Sequence, residues 1–234
     1  RNFRKLGLLY QKSLVVMTAL LVLVGFILWF TKQELLFFGF NEALATEVGN
    51  FTRYLLLDLV FVMLFETTKS YLIAQNIFQV PAWISLISTT GHVFWCYLFV
   101  NVLNLELVGM AIARTCTDAT STCLIFLYIK LKNPHPESWF PWTKECLQDL
   151  VSYSKTIGTQ GAALYFEWIA FEITTLIIGY LGDVTVIAAH SAVLNYIFAN
   201  GCFSVGLSMS TSVYVGNAAG EGKLNKAKKY AYIG

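Results

Sequence analysis

Charged residues are scarce in this sequence. Asp, Glu, Lys and Arg make up 13% of its 234 residues, whereas about 25% is usual in soluble domains. This deficit, together with repeated long apolar runs, excludes an ordinary soluble domain and predicts a polytopic membrane protein. The formal net charge of +2 is too small to indicate a nucleic-acid partner.

Motifs of catalysis and metal binding are absent as well. The sequence contains no P-loop, no GxGxxG after a strand and no HExxH. The nearest approach to a hydrolase is Ser208 in the stretch 206–209 (GLSM) with His190, and close helix packing explains such small residues more simply. The five cysteines show no CxxC spacing, which favours buried free thiols over disulfides. We therefore expect no enzyme activity, no cofactor and no metal site.

Six apolar runs are each long enough to cross a membrane as a helix, so the predicted fold is all-α. The predicted spans are residues 14–30, 51–74, 82–103, 108–129, 151–181 and 184–215. The fifth span is predicted to be interrupted at residues 158–161 (GTQG). Residues 31–50 are predicted to form an acidic connection, and residues 216–229 a turn rich in Gly and Lys.

Prolines are concentrated in one stretch, where three of the four occur, at Pro134, Pro136 and Pro141. Because prolines this dense end helices, we predict a linker over residues 133–148. It separates residues 1–132, with four spans, from residues 149–234, with two spans and the start of a third. Since the chain begins at Arg1 rather than Met and stops at Gly234 as a helix starts, we expect a piece of a longer protein.

Basic residues occur in every second loop. They lie in 1–12, at Lys69, in 130–144 and in 223–229. If the six spans alternate in direction, all of these residues fall on one face of the membrane. The excess of Lys and Arg predicts that this face, including the linker, is cytoplasmic.

Two carboxylates, Glu167 and Glu172, lie in an apolar run of the fifth predicted span. Such residues are costly in a bilayer and usually mark ion or substrate pathways, although a structural pair with a neighbouring helix is the alternative. Five positions separate them, which is about 140° around a helix, so we expect only one to face the interior squarely. Trp168 either walls a cavity and stacks on a cationic substrate or lies at the lipid interface.

Other polar residues in the spans each have two interpretations. Asp58 and Glu66, eight residues apart and about 80° around a helix, share a polar stripe toward a lumen, or Glu66 extends toward water. Arg114 and Asp118 are predicted to form an ion pair one turn apart. His92 and His190 are predicted to be hydrogen-bonded core residues rather than proton relays. His135, in the linker, is predicted to be solvated.

Several stretches resemble the multidrug and toxic compound extrusion (MATE) family, its eukaryotic branch in particular. They are 145–149 (ECLQD) followed by 166–172 (FEWIAFE), 206–208 (GLS) with 215–222 (VGNAAGEG), 71–81 around AQN, 10–13 (YQKS) and 109–113 (GMAIA). Each is loose alone, but they occur in order along essentially the whole chain. The resemblance implies that the six spans are helices three to eight of a twelve-helix, two-lobed transporter.

By this resemblance the protein is a secondary antiporter that expels small organic cations and other xenobiotics in exchange for protons or sodium ions. The carboxylate that the family requires in its second lobe aligns with Glu167, so Glu167 is expected to couple the two fluxes. Further candidate site residues are Glu172, Trp168 and Asp58. The expected partners are the substrate, the lipid of a plasma or vacuolar/vesicular membrane, and the remainder of the same transporter.

The chain departs from the family pattern at three places: Gly158 and Asn200-Gly201 where Pro is frequent, and Tyr214 where Arg is frequent. Two other functions stay open. A flippase for lipid-linked oligosaccharides of related architecture needs several cationic residues in its cavity, and this chain offers mainly Arg114. A non-transporting membrane scaffold or receptor needs no pair of carboxylates in one span.

Overall fold

The computed structural model describes residues 3–132, 134–181 and 183–233, and the side chains of Glu167 and Leu181 lie outside this description. The described chain is nearly all helical. Its helices are α1 (Phe3–Trp29), α2 (Thr31–Phe37), α3 (Glu42–Ala74), α4 (Gln79–Cys96), α5 (Glu106–Lys132), α6 (Leu150–Leu181), α7 (Val184–Gly220) and α8 (Leu224–Ile233). A π-helix, Tyr97–Val102, extends α4, and 3-10 turns lie at Pro136–Ser138 and Lys144–Leu147.

Five of the helices in the described residues are long and apolar enough to cross a membrane: α1, α3, α4 with its π-helical extension, α6 and α7. The sixth predicted span, α5, has 27 residues and is long enough. Its many Ser and Thr residues, with Arg114 and Asp118, make it less apolar than the other five. Because α5 packs against both α3 and α4, its hydroxyl-bearing residues Thr117, Ser121 and Thr122 are buried against protein.

The predicted interruption of the fifth span is wrong. Helix α6 runs from Leu150 to Leu181 through both Gly158 and Gly161. A glycine costs a helix about 1 kcal/mol relative to alanine, which is less than the cost of unpaired backbone groups in lipid. A continuous helix is therefore the more stable arrangement.

The observed connections between helices are shorter than the predicted ones. Residues 31–50 contain α2 and the first turns of α3, whose start is capped where the Asn41 side chain accepts a hydrogen bond of 2.8 Å from the Ala43 N–H. The predicted turn over 216–229 is wrong at both ends, because α7 continues to Gly220 and α8 begins at Leu224. Glycines at the end of α7 are thus helical rather than turn-forming.

The chain divides into two compact units, Asn2–Gln148 and Asp149–Gly234. In the first unit, α3 packs against α1, α2 and α5, and α4 packs against α5. A buried apolar cluster joins these helices: Tyr10, Phe65, Tyr71, Leu72, Ile84, Ile125 and Ile129. In the second unit, α6 packs against α7, and α7 against α8.

The stretch predicted as a linker packs onto α1 over much of its described length. Gln11 is buried, and its side-chain amide donates to the carbonyl oxygens of Phe140 and Pro141 at 3.2 and 3.3 Å. His135, predicted to be solvated, instead stacks on Phe3 with ring centroids 4.0 Å apart. For the apolar and aromatic groups of this stretch, packing against α1 is more favourable than exposure to water.

Two of the five cysteines also differ from the prediction that they are buried thiols. Cys123 and Cys202 are exposed, while Cys146 is buried. Because a thiol is weakly polar, a helix face directed to lipid accommodates it without a hydrogen-bond partner.

Candidate functional site

The site predicted in α6 is described only in part. The Glu167 side chain lies outside the described residues, while Glu172 is exposed in its unit. Trp168 is 49% exposed and stacks on Phe198 of α7, with ring centroids 5.2 Å apart and an interplanar angle of 30°. Phe171 meets the same Phe198 ring edge-on at 5.9 Å. Three aromatic rings thus join α6 to α7 beside position 167, and the Trp168 ring stays half exposed.

His190 is hydrogen-bonded, as predicted, but it is only partly buried rather than in the core of its unit. Its Nε2 lies 2.9 Å from Thr175 Oγ1, and the Thr175 hydroxyl donates to the Phe171 carbonyl oxygen at 2.9 Å. Since that hydroxyl has given its only hydrogen, it accepts one from Nε2. Ser208 lies 18 residues further along the same helix, about 27 Å away, so the two side chains cannot form a catalytic pair.

The first unit holds a group of three charged side chains inside the helix bundle. Arg114 Nε lies 2.8 Å from Asp118 Oδ2 on α5 and 3.6 Å from Asp58 Oδ2 on α3. The first contact confirms the predicted one-turn ion pair. Sequence reasoning missed the second contact. A signal for it was present, because an acidic and a basic residue in two membrane helices each need an opposite charge nearby.

Burial differs strongly within this Asp58–Arg114–Asp118 cluster. The side chains of Asp58 and Asp118 are 9% and 15% exposed, whereas that of Arg114 is 56% exposed. Asp58 Oδ1 and Asp118 Oδ2 are buried without a hydrogen-bond partner among the described residues. The 2.8 Å contact is therefore an ion pair whose N–H does not point at the oxygen. Charge, rather than well-aligned hydrogen bonds, holds the cluster together.

A polar cavity of about 190 Å³ lies beside the cluster, between α3, α4 and α5. Its lining includes Arg114, Asp118, Glu66 and Ser88. The Glu66 carboxylate pairs with Lys69 Nζ at 2.5 Å and is half exposed, which agrees with a side chain extending toward water. Ser88 is buried, and its hydroxyl oxygen has no hydrogen-bond partner in the described part of the chain.

His92 also lines this cavity, and both of its ring nitrogens have a partner. Nδ1 lies 2.8 Å from Thr117 Oγ1, whose hydroxyl donates to the Ala113 carbonyl oxygen, so Nδ1 carries the hydrogen. Nε2 then accepts from Cys96 Sγ at 3.3 Å. The prediction of a hydrogen-bonded histidine is confirmed.

Two further concavities lie elsewhere. An aromatic cavity of about 520 Å³ lies between α1 and the 3-10 region, lined among others by Tyr10, Trp139, Phe140 and Trp142. A groove of about 350 Å³ follows one face of α7 at Ser204, Leu207, Ser208, Thr211 and Ser212. Neither brings an ionisable group to its lining in the described residues apart from the Tyr10 phenol.

Long apolar helices that pack around charged and hydroxyl-bearing side chains define a multi-pass integral membrane protein. A sequence profile of the family MatE matches residues 1–98 and 161–234. Because this match covers more than half of the chain, the chain belongs to the MatE family. Members of this family are transporters and not enzymes.

Relatives match along the whole chain. Multidrug and toxin extrusion protein 1 of Oryctolagus cuniculus is 28% identical over 233 residues, which is 100% of this chain and 41% of that protein. Protein DETOXIFICATION 16 of Arabidopsis thaliana is 25% identical over 229 residues, which is 97% of this chain and 47% of that protein. The chain thus spans less than half the length of these relatives.

The fold is shared with a solved structure. The crystal structure of the eukaryotic MATE transporter AtDTX14 superposes with a TM-score of 0.88 at 19% sequence identity, over 98% of this chain and 52% of that chain. The predicted all-α, polytopic MATE fold is therefore confirmed.

Proposed function

We propose that this chain forms part of a secondary antiporter that exports organic cations and other xenobiotics in exchange for protons or sodium ions. One observation carries the proposal: the chain matches, along its whole length, relatives named for multidrug and toxin extrusion. The described residues contribute a membrane-crossing scaffold with charged groups inside it. The remainder of the transport path belongs to the part of such a protein that lies beyond this chain.

Glu167 is the proposed coupling residue. Its place in the apolar stretch FEWIAFE disfavours a permanent, uncompensated charge. When protonated from outside, the carboxyl group releases a cationic substrate, and when deprotonated toward the cytoplasm it receives one. Competition between ion and substrate for one carboxylate couples the two fluxes, and rocking of two lobes about a central site alternates the access.

Aromatic side chains beside Glu167 are the proposed walls of the substrate site. Trp168 is half exposed and stacks on Phe198, so its second face is free to contact a flat cation. Tyr165, one turn before Trp168, is also exposed in its unit. Glu172 then lies at the edge of the site, where it attracts cations without binding the coupling ion.

The flippase alternative is weaker for a physical reason. A lipid pyrophosphate needs free cationic groups in the cavity, and Arg114 was the main candidate. Its Nε already faces the carboxylates of Asp58 and Asp118. The guanidinium charge is thus compensated within the protein, and an anionic headgroup would have to displace a carboxylate.

Uptake of a fluorescent organic cation by sealed vesicles that contain the full-length protein tests the proposal. A pH gradient and, separately, a sodium gradient are imposed on wild type, Glu167→Gln and Glu42→Gln. We expect gradient-driven uptake in wild type and in Glu42→Gln, which changes a carboxylate at the start of α3, and loss of uptake in Glu167→Gln. The gradient that drives uptake identifies the coupling ion.

Uptake that survives in Glu167→Gln would transfer the coupling role to another acid. Binding of the dye without flux under either gradient would instead favour a scaffold or receptor.

A further inference from the structure

The Asp58–Arg114–Asp118 cluster contains one acidic group more than it has basic groups to balance. Both aspartates contact the same guanidinium nitrogen, Arg114 Nε. Ionisation of both would leave one uncompensated negative charge on side chains that are at least 85% buried. Such a charge is costly in a medium of low dielectric constant, and two carboxylates that share a site do not both ionise readily.

No other described cation is placed to supply the missing charge. Lys69 is paired with Glu66, and Arg53 lies over the Trp29 ring, 5.2 Å from its centroid. His92, across the cavity on α4, has its two ring nitrogens in hydrogen bonds with Thr117 and Cys96 rather than with either aspartate. Helix α1, which packs against α3, has no titratable side chain between Ser13 and Trp29.

The geometry distinguishes the two aspartates. Asp118 lies 2.8 Å from Arg114 Nε, while Asp58 lies 3.6 Å from it and is the more deeply buried. The guanidinium therefore stabilises the negative charge of Asp118 more than that of Asp58. Asp58 Oδ1 is also buried without a hydrogen-bond partner among the described residues, so a proton on Asp58 removes the more costly charge.

Access to the cluster is provided by the cavity between α3, α4 and α5. Its lining includes Arg114 and Asp118 of the cluster together with the half-exposed Glu66. Its volume of about 190 Å³ exceeds the 10–15 Å³ or so that one water requires. The hydroxyl of Ser88, buried and unpartnered in the described chain, is directed to this cavity and can hydrogen-bond such a water.

We propose that Asp58 is a proton-binding residue of the first unit, and that its proton is exchanged through the polar cavity lined by Ser88 and Asp118. The ligand is a proton rather than a sodium ion, because the guanidinium of Arg114 contacts both carboxyl groups and its positive charge repels a metal cation. Proton binding at Asp58 stands independently of the proposed antiport. Its contribution to transport, as a second exchanged proton, rests on that function.

Infrared spectroscopy of the full-length protein in lipid tests proton binding without any transport. The Glu167→Gln background removes the carboxyl group of the other candidate. In this background we expect the C=O band of one protonated carboxyl group, which shifts in D₂O and disappears as the pH is raised. Asp58→Asn should abolish the band, and the matched control Glu66→Gln, on the same helix and cavity, should retain it.

Asp118→Asn provides a second test that keeps Asp58 in place. Without Asp118, Arg114 has a single acidic partner, so Asp58 should ionise and the band should again be lost. A band that persists in Asp58→Asn or in Asp118→Asn, or a background protein without the band, would overturn the proposal.

The transport role has its own measurement. With Glu167 intact, the number of protons exchanged per substrate should fall by about half in Asp58→Asn, as expected when one of two linked sites is removed. An unchanged ratio would overturn the transport role. Loss of transport in Glu167→Gln with a retained infrared band would support the antiport and the Asp58 site separately.

Discussion

The hydroxyl group of Tyr71 lies 2.5 Å from Ser138 Oγ, and both side chains are buried. This hydrogen bond joins the end of α3 to the 3-10 turn Pro136–Ser138. Ser138 Oγ donates in turn to the His135 carbonyl oxygen at 2.8 Å, so Tyr71 is the donor to Ser138. A membrane-crossing helix and the proline-rich stretch are thereby held together by a chain of two hydrogen bonds.

Removal of the Tyr71 hydroxyl should loosen this connection. Tyr71→Phe keeps the ring but deletes the donor, at a cost of about 1 kcal/mol. We expect faster protease cleavage within residues 139–148 and a lower midpoint of thermal unfolding. Tyr54→Phe, at an exposed tyrosine of the same helix, is the control. Equal cleavage rates in the two variants would show that the hydrogen bond does not restrain the stretch.

Gly7 of α1 is a second point of contact with the proline-rich stretch, because it lets the backbone of that stretch approach the helix closely. A Cβ at Gly7 would collide with the Ser138 carbonyl oxygen, a backbone atom, while a Cβ at Gly91 would meet nothing within 4 Å. Gly7→Ala should therefore destabilise the first unit by about 1–3 kcal/mol. Gly91→Ala should be neutral or slightly stabilising, because Ala is the better helix former. Chemical unfolding of both variants measures the difference, and similar stabilities would contradict the close packing.

The glycines of α6 allow stability and transport to be separated. A Cβ at Gly158 or Gly161 would meet nothing within 4 Å, so each Gly→Ala substitution should stabilise the helix by about 0.5–1 kcal/mol. If α6 bends during transport, the same variants should export substrate more slowly. Thermal unfolding and vesicle uptake are measured on the same preparations. A fall in both stability and uptake would mean that the glycines are needed for packing.

Trp168 should contribute to substrate affinity through its open face. Trp168→Ala removes a ring contact worth about 0.5–1.5 kcal/mol, so KM for a flat aromatic cation should rise about 2- to 13-fold. Trp168→Phe should retain most of the affinity, since Phe can still stack on Phe198. A non-aromatic cation serves as the control substrate. An equal rise in KM for both substrates would point to a disturbed α6–α7 contact instead.

Arg114 should be required at neutral pH and less so in acid. Arg114→Leu leaves the buried carboxylate of Asp118 without its counter-charge. Because the Arg114 side chain is 56% exposed, we expect a cost of about 1–3 kcal/mol, less than for a fully buried ion pair. Protonation neutralises the Asp118 carboxylate, so the variant should recover stability as the pH falls. Thermal unfolding across pH measures this, and Asp118→Asn in the same chain should reduce the defect. A pH-independent loss would show that Arg114 acts through packing.

Local patterns in the sequence predicted those features of the structure that depend only on residues close together in the chain. The helices follow from long apolar runs, and the Arg114–Asp118 pair follows from a spacing of one turn. The hydrogen bonds of His92 follow from the need to satisfy a partly buried ring. Errors arose where a local signal was taken as decisive, as at Gly158 and Gly161, where backbone pairing along α6 outweighs glycine's low helix propensity.

Contacts between distant parts of the chain could not be predicted in this way. Hydropathy indicates that a segment crosses the membrane, but it does not say which helix face meets which neighbour. The stacking of His135 on Phe3 and the contact of Asp58 with Arg114 both join residues far apart in the chain. Motif spacing gives no signal for either contact.

The amino-acid sequence by itself determined that this protein is all-α and crosses a membrane several times, because bilayer thickness and backbone pairing constrain apolar segments locally. Its membership of the MatE family rests instead on the similarity of its sequence along most of the chain. Only the tertiary structure decided which charged groups meet. The packing of α5 against α3 places Asp58 and Asp118 on one guanidinium. The strength of that interaction depends on distance and burial, which arise only when the helices are assembled.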